Sequence, residues 1–288
     1  MIIKPIQTQK EISEVARVEA ETWGMKIGTT LPDHVLTAIA CNGGLLLGAY
    51  IDRELVGFTL GWLGTRDANL LRAASERLKL VSHMTGVLSG YRDQRIGYHL
   101  KLAQRQWAID QGLDLVTWTY DPLESRNSFF NIHLLACTCQ TYFREYYGEM
   151  IDEMNQGIPS DRFRVDWWIT SPVVEQRVKQ GAQSGDSQQT CDELIRAGVQ
   201  LLNPARRNVF DFPLPPSQSN KISGHKLLIE IPAEFQIIRQ KDPALALSWR
   251  YHVRELFESV FREGFEVRDF IYQRNGIPRS FYLLEKNP

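Results

Sequence analysis

Apolar residues along this chain recur with two periods, and the switches between them mark the expected elements. Ile2 to Gln7 reads as a strand, and Lys10 to Trp23 as an amphipathic helix with Ile12, Val15, Ala16 and Val18 on one stripe. Pro32 opens a second helix, Asp33 to Cys41, since proline is tolerated in a first turn; Asn42-Gly43-Gly44 breaks it. Leu45 to Ile51 and Leu55 to Leu63 are apolar strands joined by the hairpin turn Asp52-Arg53-Glu54. A loop from Gly64 to Glu76 leads into a β-rich run, Leu78 to Leu88, then a polar turn, Ser89 to Arg95. The helix Ile96 to Gln111 follows, with Leu100, Leu102, Ala103, Trp107 and Ala108 at helical spacing. Leu113 to Tyr120 is β-prone. A short helix to Leu135 comes after the turn Asp121 to Asn127, and Cys137 to Tyr147 and Phe163 to Thr170 read as strands.

The pattern then changes. Gln176 to Thr190 is rich in Gln, Ser and Gly and reads as a solvated loop or a short polar helix, and Pro204 to Ser223 as a proline-bearing connector. Order resumes with a strand, Leu227 to Ile231, and a helix, Pro243 to Glu263, with Leu245, Trp249, Val253, Leu256, Phe257 and Val260 in register. Strands Phe265 to Gln273 and Arg279 to Glu285 flank Asn275-Gly276. A β-α-β-β tail of this size buries little alone, so it is expected to pack on what precedes it.

Composition narrows the partners. The 288 residues, 43% hydrophobic and 23% charged, suit one large folded domain or two modest ones. A net charge of -1 provides no field for nucleic acid or an anionic membrane, and neither is expected as a partner. Cys41, Cys137, Cys139 and Cys191 have no regular disulfide or zinc spacing, so no metal is expected. The start Met-Ile-Ile-Lys-Pro-Ile lacks the length and flanks of a signal peptide, and no apolar run reaches transmembrane length. The expectation is a reduced, cytoplasmic protein.

The candidate chemistry lies between Ser82 and Gly97. Strand, tight turn and helix start together make an anion site, because unsatisfied N–H groups and the helix dipole both favour negative charge there. Gly97 lets the backbone approach a phosphate, and Arg92 and Arg95 add positive charge. The ligand implied is a pyrophosphate; spacing alone does not say which.

The run Arg92-Asp93-Gln94-Arg95-Ile96-Gly97 resembles the acetyl-coenzyme A signature of the GNAT superfamily of N-acyltransferases, Gln/Arg-x-x-Gly-x-Gly/Ala. Arg92 and Gly97 fill the first and last positions. Arg95 stands where the pattern has its first glycine, and Ser89 where many relatives carry proline. The order of elements over residues 1 to 172 is also similar to the superfamily's. The resemblance implies a mixed α/β (α+β) fold, a mainly antiparallel sheet flanked by helices, with the tail as a C-terminal β-α-β-β extension. Its domains would be an acyltransferase domain over 1–172, a connector over 173–224 and an extension over 225–288 packed on the first.

It also implies a site. Backbone N–H groups from Gln94 to Tyr98, with Arg92, Asp93, Arg95, Ile96 and Gly97, would hold the pyrophosphate of acetyl-coenzyme A or another acyl-coenzyme A. The fourth and fifth strands splay apart in the superfamily, and Gly86, Val87 and Leu88 would pair with pantetheine there. Asn127 would bond to pantetheine or the phosphates; the other reading makes Asp121 and Asn127 an Asx turn and an N-cap. His83 would accept the proton of an amine, as a histidine at that place does in some relatives; otherwise it is a core histidine bonded to a neighbouring strand or loop. Alternation would put His83 on the same face as Thr85 and Val87. Glu21, Trp23 and Arg126 would line the acceptor pocket; Glu21 also reads as a solvated helix-end charge, and Arg126, Arg162 and Arg164 read either as binders of an acceptor carboxylate or as surface ion pairs. The superfamily's general acid is a tyrosine in Asn-x-x-Ala-x-x-x-Tyr, where Phe130 and Leu134 stand here; Tyr142, Tyr146, Tyr147 and His133 are the substitutes left open.

The run Asp121-Pro122-Leu123-Glu124-Ser125-Arg126-Asn127, with Phe130-Asn131-Ile132 and with Asp161-Arg162-Phe163 before Trp167-Trp168, resembles a poorly characterised branch of the superfamily with a C-terminal extension. Some members of it are associated with N-acylamino-acid metabolism. The expected function is transfer of an acetyl or succinyl group to a small-molecule primary amine, an amino acid included, with a homodimer allowed. The alternatives are a catalytically inactive coenzyme A-binding relative and a scaffold on the same fold.

Overall fold

The computed structural model describes residues 1–66, 73–150, 157–181, 189–274 and 276–286, with the backbone alone for Ile27 and Ala74. The middle of the loop expected over 64–76, part of the polar run 176–190 and Asn275 lie outside the described residues. The chain divides into two compact units. One holds Met1–Trp118 and Trp168–Ser171; the other holds the described residues of 119–150, 155–167 and 172–288.

In the first unit, strands β1 (Ile2–Pro5), β2 (Leu45–Ile51), β3 (Glu54–Thr65) and β4 (Leu78–Val87) pair antiparallel in that order. β5 (Leu115–Tyr120), whose last two residues pass into the second unit, adds to β4 in parallel. Helix α1 (Gln9–Trp23) starts at Thr8, which forms a capping box with Glu11, and stops at Gly24 in the left-handed region (φ 65°). Helix α2 (Asp33–Cys41) begins after Pro32, with the bounds its proline and glycines predict. Asp52 (φ 49°) and Arg53 (φ 70°) both turn left-handed between β2 and β3, the geometry a tight hairpin needs to match strand twist. Helix α3 (Ile96–Asp110) packs on β2, β3 and β4 with Leu100 and Ala108 buried. Alternation along the strands puts α1 and α3 on opposite faces. A side chain added at Gly86 would meet Trp23 of α1, and one added at Gly57 would meet Leu100 of α3.

In the second unit the strand order is β7 (Arg162–Trp168, whose last residue belongs to the first unit), β6 (Thr138–Phe143), β12 (Phe265–Gln273), β13 (Arg279–Lys286), β11 (Lys226–Ile231) and β8 (Gln200–Leu201). The tail is thus stitched into the sheet: β12 pairs antiparallel with β6 at Val267–Cys139. Helix α4 (Ser125–Ser128) continues as a π-helical turn over Phe129–Leu134. The polar run after Thr170 opens with a helix, α5 (Pro172–Gln180), and α6 (Cys191–Arg196) is capped by Thr190. The connector holds a small hairpin, β9 (Arg206–Arg207) with β10 (Pro213–Leu214). Helix α7 (Phe235–Lys241), with only Phe235 and Ile238 buried, escaped the periodicity; α8 (Pro243–Arg262) did not. Trp249, Phe257, Phe163, Phe270 and Tyr282 fill the core under α8. Trp167 is buried and Trp168 exposed, as alternation requires. Among the described residues no disulfide joins the four cysteines, and no helix is long and apolar enough to cross a membrane.

Candidate functional site

β4 is built in two phases. Leu60 of β3 faces Met84, but the next residue, Gly61, faces Ser82, so His83 is an extra residue bulged out of the ladder. The bulge breaks the alternation expected between His83 and Thr85. Thr85 Oγ1 is 2.8 Å from Thr59 Oγ1, and Val87 lies beside Gly57 and Leu100, on the α3 face. The His83 ring instead packs against Trp62, with centroids 4.8 Å apart, on the face that carries Phe58 and Trp23. The residue is exposed as a whole. Even so, the protein around the ring strips away part of its hydration and lowers its pKa from 6.5, so it is neutral near pH 7.

The two edges of β4 differ. On one side β3 pairs with it from Leu78 to Val87, and the Leu88 N–H donates to the Val56 carbonyl at 2.9 Å. On the other, β5 pairs only at Leu80–Val116 and Val81–Thr117 among the described residues. From Ser82 onward that edge is open. Backbone groups alternate sides in an antiparallel strand, so with Leu88 turned to β3 the outward groups are those of Thr85 and Val87. Gly86 is needed for a different reason: a Cβ there would lie 3.0 Å from the Trp23 ring, which fills its place.

The open edge runs straight into the N-terminus of α3. Ser89–Tyr91 forms a 3-10 turn, Arg92 is extended, and Asp93 (φ 67°) and Arg95 (φ 60°) are left-handed. Arg95 thus adopts the conformation for which the related pattern uses glycine, at a cost of about 1–2 kcal/mol for a residue with a Cβ. No side chain caps α3 at Arg95, and its first turn carries no carboxylate. The first intrahelical bond is His99 N–H to the Arg95 carbonyl at 3.1 Å, so the N–H groups from Arg95 to Tyr98 have no acceptor within the helix. Residues 92–95 are exposed. Arg92 is tethered; one nitrogen donates to the Thr22 carbonyl at the end of α1 (3.2 Å).

Under β4 lies a buried polar chain that the sequence reading missed. The Lys101 ammonium donates to Ser82 Oγ (2.8 Å) and Gln104 Oε1 (3.1 Å) and sits 3.7 Å from the centre of the Trp118 ring. Gln104 Nε2 donates to Thr59 Oγ1 (3.2 Å), which is bonded in turn to Thr85. These atoms brace β4 on both sides of the bulge. Lys101 and Gln104 stand three apart on the apolar stripe of α3, and that misplacement of polar residues was the available signal.

Other expected site residues are placed as follows. Glu21 is exposed and paired with Arg17 at 3.2 Å, while Trp23 is half-buried on Gly86 and Phe58. Arg126 and Asn127 are exposed on α4, in the second unit. Tyr142 donates to Asp161 Oδ2 (2.7 Å); burial and that carboxylate push its pKa far up, which ill suits an acid. His133 is buried with Nδ1 2.8 Å from Asp269 Oδ1. Tyr146 and Tyr147 are exposed, and the Tyr147 hydroxyl is 2.8 Å from Thr119 Oγ1. Arg162, 7% exposed at its side chain, lies 3.8 Å from Asp121, and Arg164 3.6 Å from Asp166. Among the described residues no group of three His, Cys, Asp or Glu is set to hold a metal ion.

With its mainly antiparallel sheet flanked by helices, the chain is similar in structure to GNAT acetyltransferases. One is Naa20 of Chaetomium thermophilum in complex with a bisubstrate analogue, at 12% identity over 66% of this chain and 96% of that one, with a TM-score of 0.47. Another is ribosomal-protein-alanine N-acetyltransferase of Brucella melitensis, at 12% identity over 58% and 98%, TM-score 0.44. A third is an acetyltransferase of the GNAT family from Streptococcus pneumoniae, at 12% over 57% and 97%, TM-score 0.44. Neither a protein-family model nor a curated protein matches the sequence.

Proposed function

We propose that the chain is an acyl-coenzyme A dependent N-acyltransferase that moves an acetyl or succinyl group to a primary amine by direct attack. One observation carries this: the open edge of β4 from Ser82 to Val87 continues into a helix N-terminus that no side chain caps. Pantetheine amides would add to that edge through the backbone groups of Thr85 and Val87. The N–H groups from Arg95 to Tyr98, with Arg95 and Arg92 beside them, would take the pyrophosphate. Glu21 and Trp23, at the end of α1, would contact the acceptor.

The chemistry follows from the thioester. The amine nitrogen forms a bond to the acyl carbon, the C–S bond breaks, and an amide and free coenzyme A leave. The ammonium proton must go first. A neutral imidazole held beside Trp62 at the bulge is suited to take it, directly or through water. The thiolate takes its proton from water, since Leu134 stands at the tyrosine position of the related pattern. An amino acid is the acceptor that the branch resemblance implies.

A thermal-shift series with coenzyme A, acetyl-coenzyme A and succinyl-coenzyme A tests the reading, because a ligand bound by the folded state alone must raise the melting point. The expected result is a shift larger for one acyl form, followed by turnover with amines. No shift with any of the three would refute it. Binding without turnover would leave the inactive relative, which the residue at Leu134 favours.

A further inference from the structure

The polar chain under β4 lies wholly within the first unit, and the proposed chemistry makes no use of it. Lys101 is 3% exposed, Ser82 2%, and Gln104 and Thr59 are fully buried, so whatever they do is done through the strands around them. Lys101 meets β4 and β5 at the point where the two part. Their last pair among the described residues is Val81–Thr117. The next residues along are Ser82 and Trp118. Lys101 holds both, Ser82 by a hydrogen bond of 2.8 Å and Trp118 across its ring at 3.7 Å.

Sequence spacing makes these contacts selective. Ser82 and Thr85 are three positions apart, and in a regular strand they would point to opposite faces. Both point toward α3. Ser82 Oγ accepts from Lys101, and Thr85 Oγ1 meets Thr59 Oγ1, which accepts from Gln104. Lys101 and Gln104 are themselves joined at 3.1 Å. The chain therefore closes only when one residue between Ser82 and Thr85 is left off the ladder, and that residue is His83. A slip of the strand by one position would turn Ser82 away and take an acceptor from a buried ammonium. Apolar packing has no direction and resists such a slip weakly; hydrogen bonds in a dry interior are directional and resist it.

We propose that Lys101 is a positioning residue: through Ser82, and with Gln104 through Thr59 and Thr85, it selects the bulged form of β4 and so sets the His83 ring beside Trp62. The inference rests on the acyltransferase reading only for its effect on turnover; the placement of His83 is separate.

The test follows the His83 imidazole by NMR in the full chain, its signal assigned by loss in His83→Ala, with the parent set against Ser82→Ala and Lys101→Met. In the parent the ring titrates below 6.5, because the protein around it strips away hydration. In both variants the titration is expected to move up toward 6.5 as the ring leaves Trp62. Ser82→Ala removes the bond without removing a charge, and it carries the test if Lys101→Met unfolds. No movement in Ser82→Ala overturns the proposal; movement in Lys101→Met alone would be the loss of a nearby cation. With acetyl-coenzyme A and an amine, both variants should lose about tenfold or more in kcat while the Kd for coenzyme A changes less than about threefold, since the start of α3 is untouched. A loss of coenzyme A affinity with kcat unchanged overturns the proposal too. A parent that neither binds coenzyme A nor turns over sinks the acyltransferase reading and leaves the His83 titration to judge Lys101.

Discussion

Replacing Glu124 by glutamine should make the protein more stable, and more so as the pH rises. The side chain is partly buried beside Asp121, and its pKa climbs from 4.5 to about 7 on folding. A carboxyl with a raised folded pKa is protonated in both states well below 4.5 and costs nothing there. Above the folded value it is ionised in both states, and the native state bears the full penalty. Stability is therefore lost between about pH 4.5 and 7. At 1.36 kcal/mol per pH unit the rise amounts to about 3 kcal/mol. Glutamine keeps an oxygen for Gln236 Nε2, which donates to Glu124 Oε1, and has no charge to desolvate. Urea unfolding of both proteins at about pH 5 and about pH 8 measures the effect as a change in midpoint at constant slope. The gap between variant and parent should widen by about 2–3 kcal/mol at the higher pH. A gap that stays the same, or narrows, would show that Glu124 ionises without penalty.

Three further outcomes are expected. Arg95→Gly should relieve the left-handed strain and raise stability by about 1 kcal/mol in urea unfolding, while weakening coenzyme A through loss of a charge; destabilisation would mean that the turn is not strained at φ 60°. In the parent, kcat/KM should rise with pH through a histidine titration below 6.5, since His83 works only when neutral. His83→Ala should lower the rate roughly 100-fold and remove that limb, and a profile of unchanged shape would dismiss it as base. Arg254→Met should cost about 3–5 kcal/mol. Its guanidinium holds Asp161, fully buried, through two 2.7 Å bonds, and burial would otherwise drive that carboxyl up. Calorimetry that finds less than about 1 kcal/mol would place the pair in water.

The local grammar of the chain was readable wherever a residue's own backbone preference decided the outcome. Pro32 and Asn42-Gly43-Gly44 bracket α2, Asp52-Arg53 turn the hairpin, and the polar run after Leu88 turns into α3. What escaped depends on partners distant in sequence. The bulge at His83 exists only against the β3 register, and period-two reasoning therefore put His83 on the wrong face. Lys101 and Gln104 look like surface residues until Ser82, Thr59 and Trp118 close over them. Glu124 and Arg250, 126 positions apart by subtraction, acquire meaning only when the fold brings α8 to the end of β5. Arg95 is the converse case: the residue disfavours the conformation, and the turn imposes it.

Because Ser82 pairs with Gly61 and Met84 with Leu60, His83 occupies no rung of the ladder. Deleting it, instead of substituting it, would close the strand into regular pairing and leave Ser82, Thr85 and Val87 on the faces they already hold. Most single-residue deletions in a strand reverse every side chain on one side of the cut. This one would not. The imidazole is, in effect, an insertion that the sheet tolerates without being rewired, so chemistry at this point can be gained or lost in one step while the frame that would hold the cofactor stays in register.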